Sequence, residues 1–173
     1  DRPAVAGADA GIGDPRRLAL LDRGFVGQGD PAVVEIEDLA DARRQALPLD
    51  QLSEKLAENT PGFAWVGLYE PAETVLRQLQ EELELHPLAV EDARNAHQRP
   101  KVEAYGDTLF LAVHTAQMVD GKIRYGETHA FLGTRFLLTV RHGGSLSYSF
   151  VRGRMEREPE LLRVGPAMAM YAV

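Results

Sequence analysis

Two adjacent carboxylates, Glu91 and Asp92, are the side chains best suited to hold a cation. They stand in the segment Leu85-His86-Pro87-Leu88-Ala89-Val90-Glu91-Asp92-Ala93-Arg94-Asn95-Ala96-His97-Gln98-Arg99-Pro100-Lys101. The segment reads as a short helix begun by Pro87, since a proline in the first turn loses no hydrogen bond. Arg99 precedes a proline and is pushed toward extended geometry, which ends the helix before a strand. Helix neighbours point about 100° apart. Glu91 and Asp92 therefore do not easily grip one ion together, and each needs oxygen partners from another element or another subunit. Magnesium suits such a sparse set, because it keeps several waters and often takes only one or two carboxylates. The same pair also reads as two solvated acids near a helix start, where negative charge is mildly favoured.

Other chemistry finds less support. The five histidines are His86, His97, His114, His129 and His142, and none has the zincin spacing with a carboxylate. His114 and His129 could face each other across the hairpin at Asp120-Gly121, as a structural pair on a sheet face. Arg94, Arg99 and Lys101 could hold a phosphate, but the nearby Glu91, Asp92 and Glu103 offer them ion pairs. Arg152, Arg154 and Arg157 alternate with Glu156, Glu158 and Glu160, a self-neutralising solvated face. Gly11-Ile12-Gly13 follows no strand and is no dinucleotide fingerprint, and no P-loop occurs. Ser145, Ser147 and Ser149 lack a nucleophile elbow and read as helix caps. With no cysteine, disulfides, thiolate zinc sites and cysteine nucleophiles are excluded. The chain does not read as an enzyme.

Net charge is -7 over 173 residues, which argues against nucleic acid and anionic lipid partners. Hydrophobic residues make up 45% and charged ones 26%, enough apolar content for a single domain with its own core. The best apolar runs, Leu109 to Val113 and Ala167 to Val173, fall far short of the roughly 20 residues a membrane helix needs. The chain is thus expected to make no membrane contact of its own. Asp1 to Asp14 does not read as a signal peptide, and the opening at Asp1 points to a trimmed chain.

Residues 1–14 read as a loose arm and 15–173 as one domain. Leu18 to Val26 and Ala32 to Ile36 are expected strands, with a turn at Gly27 to Pro31. Leu39, Ala42 and Ala46, then Leu49, Leu52 and Leu56, recur at helical spacing and predict two short helices split by Pro48. Phe63 to Tyr69 predicts a central buried strand, and Thr74 to Leu85 an amphipathic helix with Val75, Leu76, Leu79 and Leu83 on one stripe. Strands follow at Lys101 to Tyr105 and Thr108 to Val119. Asp120-Gly121 turns the chain into Ile123 to Leu132, and Phe136 to Val140 reads as a strand covered on both faces. Helices are expected at Ser147 to Glu156, from Pro159, and from Gly165-Pro166 onward. Hairpins mixed with helical crossovers imply an α/β fold with a mixed parallel and antiparallel sheet.

Several of these segments, taken in order, resemble the cytoplasmic domain of CorA-type magnesium and cobalt transporters. They are Phe63-Ala64-Trp65-Val66-Gly67-Leu68, the Leu85 to Lys101 segment, Tyr105-Gly106-Asp107-Thr108-Leu109-Phe110-Leu111, Phe131-Leu132-Gly133, Leu138-Thr139-Val140-Arg141-His142, Val151-Arg152 and the helix from Gly165-Pro166. Asp1 to Pro61 does not share in the resemblance. It implies a three-layer α/β/α domain, truncated before a stalk helix and two membrane segments with a Gly-Met-Asn loop. It also implies a pentamer at the cell membrane, with this domain on the cytoplasmic side. Asp92 would be the regulatory Mg2+ ligand at the subunit boundary and Glu91 a ligand of a second, weaker site. Their partner carboxylates would lie on the stalk, so Mg2+ would bind the isolated domain weakly. Bound ions would hold the pore shut. The same resemblance leaves open a zinc-transporting relative and a free-standing soluble binding module.

Overall fold

Tight turns alternate with helical crossovers along this chain, and the result is one mixed sheet. In the computed structural model, residues 33–38, 43–58, 62–145 and 147–173 are described, with only the backbone path for 33–38 and 43–46. The expected arm at Asp1–Asp14, the strand at Leu18–Val26 and the turn at Gly27–Pro31 lie outside these residues. The elements run β1 (Val33–Asp38), β2 (Arg43–Pro48), a single 3-10 turn (Leu49–Gln51), α1 (Leu52–Ala57), β3 (Gly62–Tyr69), α2 (Glu73–Glu82) and α3 (Pro87–Asn95). They continue as β4 (Lys101–Tyr105), β5 (Thr108–Val119), β6 (Lys122–Leu132), β7 (Phe136–Gly143), α4 (Ser149–Arg157), α5 (Pro159–Leu162) and α6 (Pro166–Ala172).

The strand order is β2-β1-β3-β7-β6-β5-β4. Only β3 and β7 pair in parallel among the described strands; the other neighbours are antiparallel. Of the helix expected over Leu39, Ala42 and Ala46, the first two residues lie outside the described ones, and Ala46 is not helical. Arg43–Pro48 is instead a strand, paired with β1 from Val33 opposite Pro48 to Asp38 opposite Arg43. Three apolar positions are a weak helical pattern, and sheet pairing overrides it. The helix expected after Pro48 does form, with Leu49 and Leu52 buried.

Strand alternation sends side chains to two cores, one on each face. Ala64, Val66 and Leu68 of β3 join Leu138 and Val140 of β7 beneath α1, α2 and α3. Phe63, Trp65 and Leu137 join Met155, Leu162 and Ala169 from α4, α5 and α6 on the other face. This is the expected three-layer α/β/α arrangement. Its central strands β3 and β7 are buried almost throughout, as their continuous apolar runs predict. Arg152 of α4 clamps the second core: its guanidinium lies 4.7 Å from the Trp65 ring and donates to the Trp65 carbonyl at 2.9 Å.

The β5–β6 turn is the one Asp120-Gly121 signals. Both residues have positive φ, 49° and 72°, the twist that a two-residue hairpin requires. Gly106, with φ of 60°, opens the two-residue β4–β5 turn.

Candidate functional site

The position of α3 decides what its two carboxylates can reach. Pro87 stands at its start as expected, and the Leu88 N–H donates to His86 Nδ1 at 3.3 Å. The His86 ring stacks on Tyr105, with centroids 4.2 Å apart. Ala89, Val90 and Ala93 form the buried stripe that fixes the helix to the first core. With that stripe fixed, Glu91 and Asp92 leave the helix on different flanks. The structure does not bring them together.

Asp92 turns toward β4. Lys101 Nζ donates to Asp92 Oδ2 at 2.8 Å and to Glu103 Oε2 at 3.0 Å, and Tyr105 Oη donates to the same Glu103 oxygen at 2.7 Å. The hydrogen bonds to Asp92 and then Glu103 hold the Lys101 ammonium above its usual range. Tyr105 and Lys101 together hold the Glu103 carboxyl below its own. The cluster is two carboxylates sharing one tethered cation. Glu91 is exposed and lines a cleft of about 310 Å³ between α2 and α3, with Glu73, Arg77 and Arg94 on its wall. Glu73 Oε1 accepts from Arg77 and Arg94, each at 3.2 Å.

The expected ion pairs thus form in part. Lys101 takes Asp92 and Glu103, but Arg94 takes Glu73 of the neighbouring helix. Arg154 pairs with Glu158 on the solvated face of α4, at 3.2 Å. Ser147 Oγ accepts from the Ser149 N–H at 3.3 Å, at the first residue of α4. Among the described residues, no three His, Asp or Glu side chains are already disposed to hold a metal ion.

The histidines form a group that the sequence does not announce. His114 and His129 do not face each other: the β5–β6 register sets His114 opposite Glu127 and Ala112 opposite His129. Glu127 in turn lies opposite His142 on β7. The three rows converge on the exit of α3, which ends at Asn95, earlier than Arg99-Pro100 implies. Ala96 and His97 both have positive φ, 54° and 56°, a strained region for residues with a side chain. Glu127 holds this bend by accepting from the N–H of His97 at 2.9 Å and of Gln98 at 3.3 Å. His142 Nε2 lies 2.7 Å from the Ala93 carbonyl and His114 Nε2 2.8 Å from the Gln98 carbonyl. Alternation along β5, β6 and β7 puts these residues on one face, but only the register shows that they meet.

His129 is fully buried between Phe110 and His142. Burial, and then His142, push its pKa below the usual 6.5. On acidification the unfolded chain gains a proton near pH 6.5 that the folded chain refuses. The stability this group provides is therefore intact above 6.5 and is lost as pH falls through the folded value. With a chelator present, the urea midpoint should drop between about pH 7 and about pH 5, and His129→Leu should flatten part of that drop. The same drop in both proteins would show that His129 is not responsible.

Residues 61–170 match the family model described as CorA-like Mg2+ transporter protein. Over 120 residues the chain is 28% identical to the proposed metal ion transporter YfjQ of Bacillus subtilis (strain 168), a match covering 69% of this chain and 37% of YfjQ. It thus spans little more than a third of that curated relative. The soluble domain of CorA from Methanocaldococcus jannaschii superposes with a TM-score of 0.58 at 15% identity, over 82% of this chain and 54% of that one. Full-length CmaX superposes with a TM-score of 0.57 at 12% identity, over 84% of this chain and 45% of that one. At such identities the two structures speak for the fold alone.

Proposed function

Because this chain belongs to the CorA-like Mg2+ transporter family, we propose that it is the cytoplasmic, metal-responsive domain of a divalent-cation channel. That family is one of transporters and not of enzymes. On this reading the full protein is a pentamer in the cell membrane, and Mg2+ bridging Asp92 to the neighbouring subunit holds the pore shut. The observation that carries the reading is the family match, because residues 61–170 include α3 and both of its carboxylates. Among the described residues no helix is long and apolar enough to cross a membrane, so the pore belongs to another part of the protein on this reading.

The Asp92 cluster supplies a reason for regulation. A metal biases gating only by binding one arrangement better than the other. Lys101 already neutralises Asp92 within its own subunit, and an arriving dication must displace it or share the carboxylate. Lys101 therefore sets the Mg2+ concentration at which the site fills. In the full-length transporter, Asp92→Asn should raise the Mg2+ needed for half-closure about tenfold, and Lys101→Met should lower it. Ion flux into vesicles at graded Mg2+ reads both shifts. An unchanged Mg2+ dependence in Asp92→Asn would remove this residue from the mechanism. The isolated domain should bind Mg2+ weakly, and calorimetry giving tight one-to-one binding would refute the shared site.

A further inference from the structure

We infer that the cavity at the exit of α3 is a binding site for a guanidinium group, with the Glu127 carboxylate as its anion and Tyr125 as its aromatic wall. β3 and β7 lie side by side in parallel, and the chain leaves them toward opposite faces. α2 and α3 follow β3 onto the first core, whereas α4, α5 and α6 follow β7 onto the second. In open α/β sheets such a divergence makes a crevice outside the carboxyl ends of the strands, the usual place for a ligand. The cavity, of about 290 Å³, takes in His142 and Gly143, the last two residues of β7, and so opens at that end. Its volume is at the small end for a ligand pocket and suits a single side chain or an amino-acid-sized molecule.

The hydrogen-bonding groups around the cavity call for a ligand that donates and is positively charged. Glu127 is the carboxylate in its wall, with a side chain 13% exposed. No Lys or Arg pairs with it among the described residues; its partners there are the imidazoles of His97 and His129, each at 3.4 Å. Burial, and then His142, push the His129 pKa down, so that ring does not offset the carboxylate at neutral pH. The nearby backbone N–H groups are already engaged, those of His97 and Gln98 with Glu127 and that of Gly143 with Glu70 at 3.2 Å. His114 and His142 each set Nε2 against a backbone carbonyl, at 2.8 and 2.7 Å, which in the neutral ring leaves Nδ1 an acceptor. The wall thus offers acceptors and few donors.

A guanidinium is the complement of such a wall. It carries donors in a planar fork, no acceptor and a permanent charge, and it stacks on aromatic faces. Glu127 keeps acceptor sites beside those given to the two N–H groups, since a carboxylate has about four. Tyr125 stands two residues before Glu127 on the same face of β6 and is 74% exposed. Its ring can close over a cation held at Glu127, a contact that strengthens as the cation loses water. A metal ion fits less well, because no three His, Asp or Glu side chains among the described residues are disposed around one. An anion would be repelled by the carboxylate.

NMR titration of the isotope-labelled 173-residue chain near neutral pH tests the site. The probes are free arginine, which presents the group as a small molecule does, and N-acetyl-arginine methylamide, which presents it as a polypeptide does. At least one should shift the amides of His97 and Gln98 saturably. Tighter binding of free arginine would identify a small-molecule ligand, and tighter binding of the capped residue an arginine side chain of a protein partner; either supports the site. The matching citrulline compounds keep the shape without the charge and should bind about tenfold more weakly. Glu127→Gln should weaken arginine binding about tenfold. Tyr125→Ala, an exposed change that leaves both cores intact, should weaken it about threefold. Asp92→Asn should bind as the parent does, which separates this site from the proposed Mg2+ site. No saturable shift with either arginine probe, equal binding of citrulline, parental affinity in Glu127→Gln or Tyr125→Ala, or loss in Asp92→Asn would overturn the assignment. Circular dichroism of each variant confirms that it is folded.

Discussion

Trp65→Ala will lower the stability of the domain by about 3–5 kcal/mol, the range for truncating a large buried aromatic. The indole is 1% exposed, in the middle of β3, and anchors the core beneath α4, α5 and α6. Truncation leaves a cavity there and removes the aromatic face over which the buried Arg152 guanidinium lies. Trp65→Phe, which keeps a ring, should cost less. Because Trp65 is the sole tryptophan, unfolding must be followed by circular dichroism. The denaturant midpoint should fall with its slope unchanged. A loss below about 1 kcal/mol would mean that this core collapses around the missing ring.

Glu127→Ala should cost about 2–3 kcal/mol, with most of the damage confined to the exit of α3. Hydrogen bonds to a charged group contribute about 1.5–3 kcal/mol each, and here one carboxylate accepts from consecutive N–H groups. Those groups belong to a bend whose Ala96 and His97 are both in the left-handed region, which persists only while its surroundings enforce it. Hydrogen exchange should show the amides of His97 and Gln98 losing protection, while that of Phe131 follows only the global change. Unaltered protection at His97 would show that His142 and His114 hold the bend without Glu127.

The parts of this structure that follow from local pattern could be read directly. Asp120-Gly121 dictates its turn, Pro87 starts α3, and the apolar runs at Phe63 and Phe136 identify strands buried on both faces. The resemblance carried by Trp65, the α3 segment and the Leu138 strand led to the right layers. Arg43–Pro48 could not be read, because its strand conformation comes from pairing with β1, a tertiary effect. The divergence of Glu91 and Asp92 follows from the helical repeat, but that Asp92 meets Lys101 depends on how α3 lies against β4. The histidine group was hidden for a similar reason. His97, His114, Glu127 and His142 come from a loop and three strands, and only the register aligns them.

The parallel pairing of β3 with β7 sets Ala64 beside Phe136 and Tyr69 beside Arg141. These partners are separated by α2, α3 and the whole β4–β6 meander. As the chain leaves the ribosome, β3 emerges with one edge unpaired and its apolar run bare, and remains so until β7 is made. The meander needs no such wait, since its hairpins join strands that follow directly in sequence. β3 is therefore the segment of this domain most open to mispairing during synthesis, an unpaired hydrophobic edge of the kind that seeds aggregation.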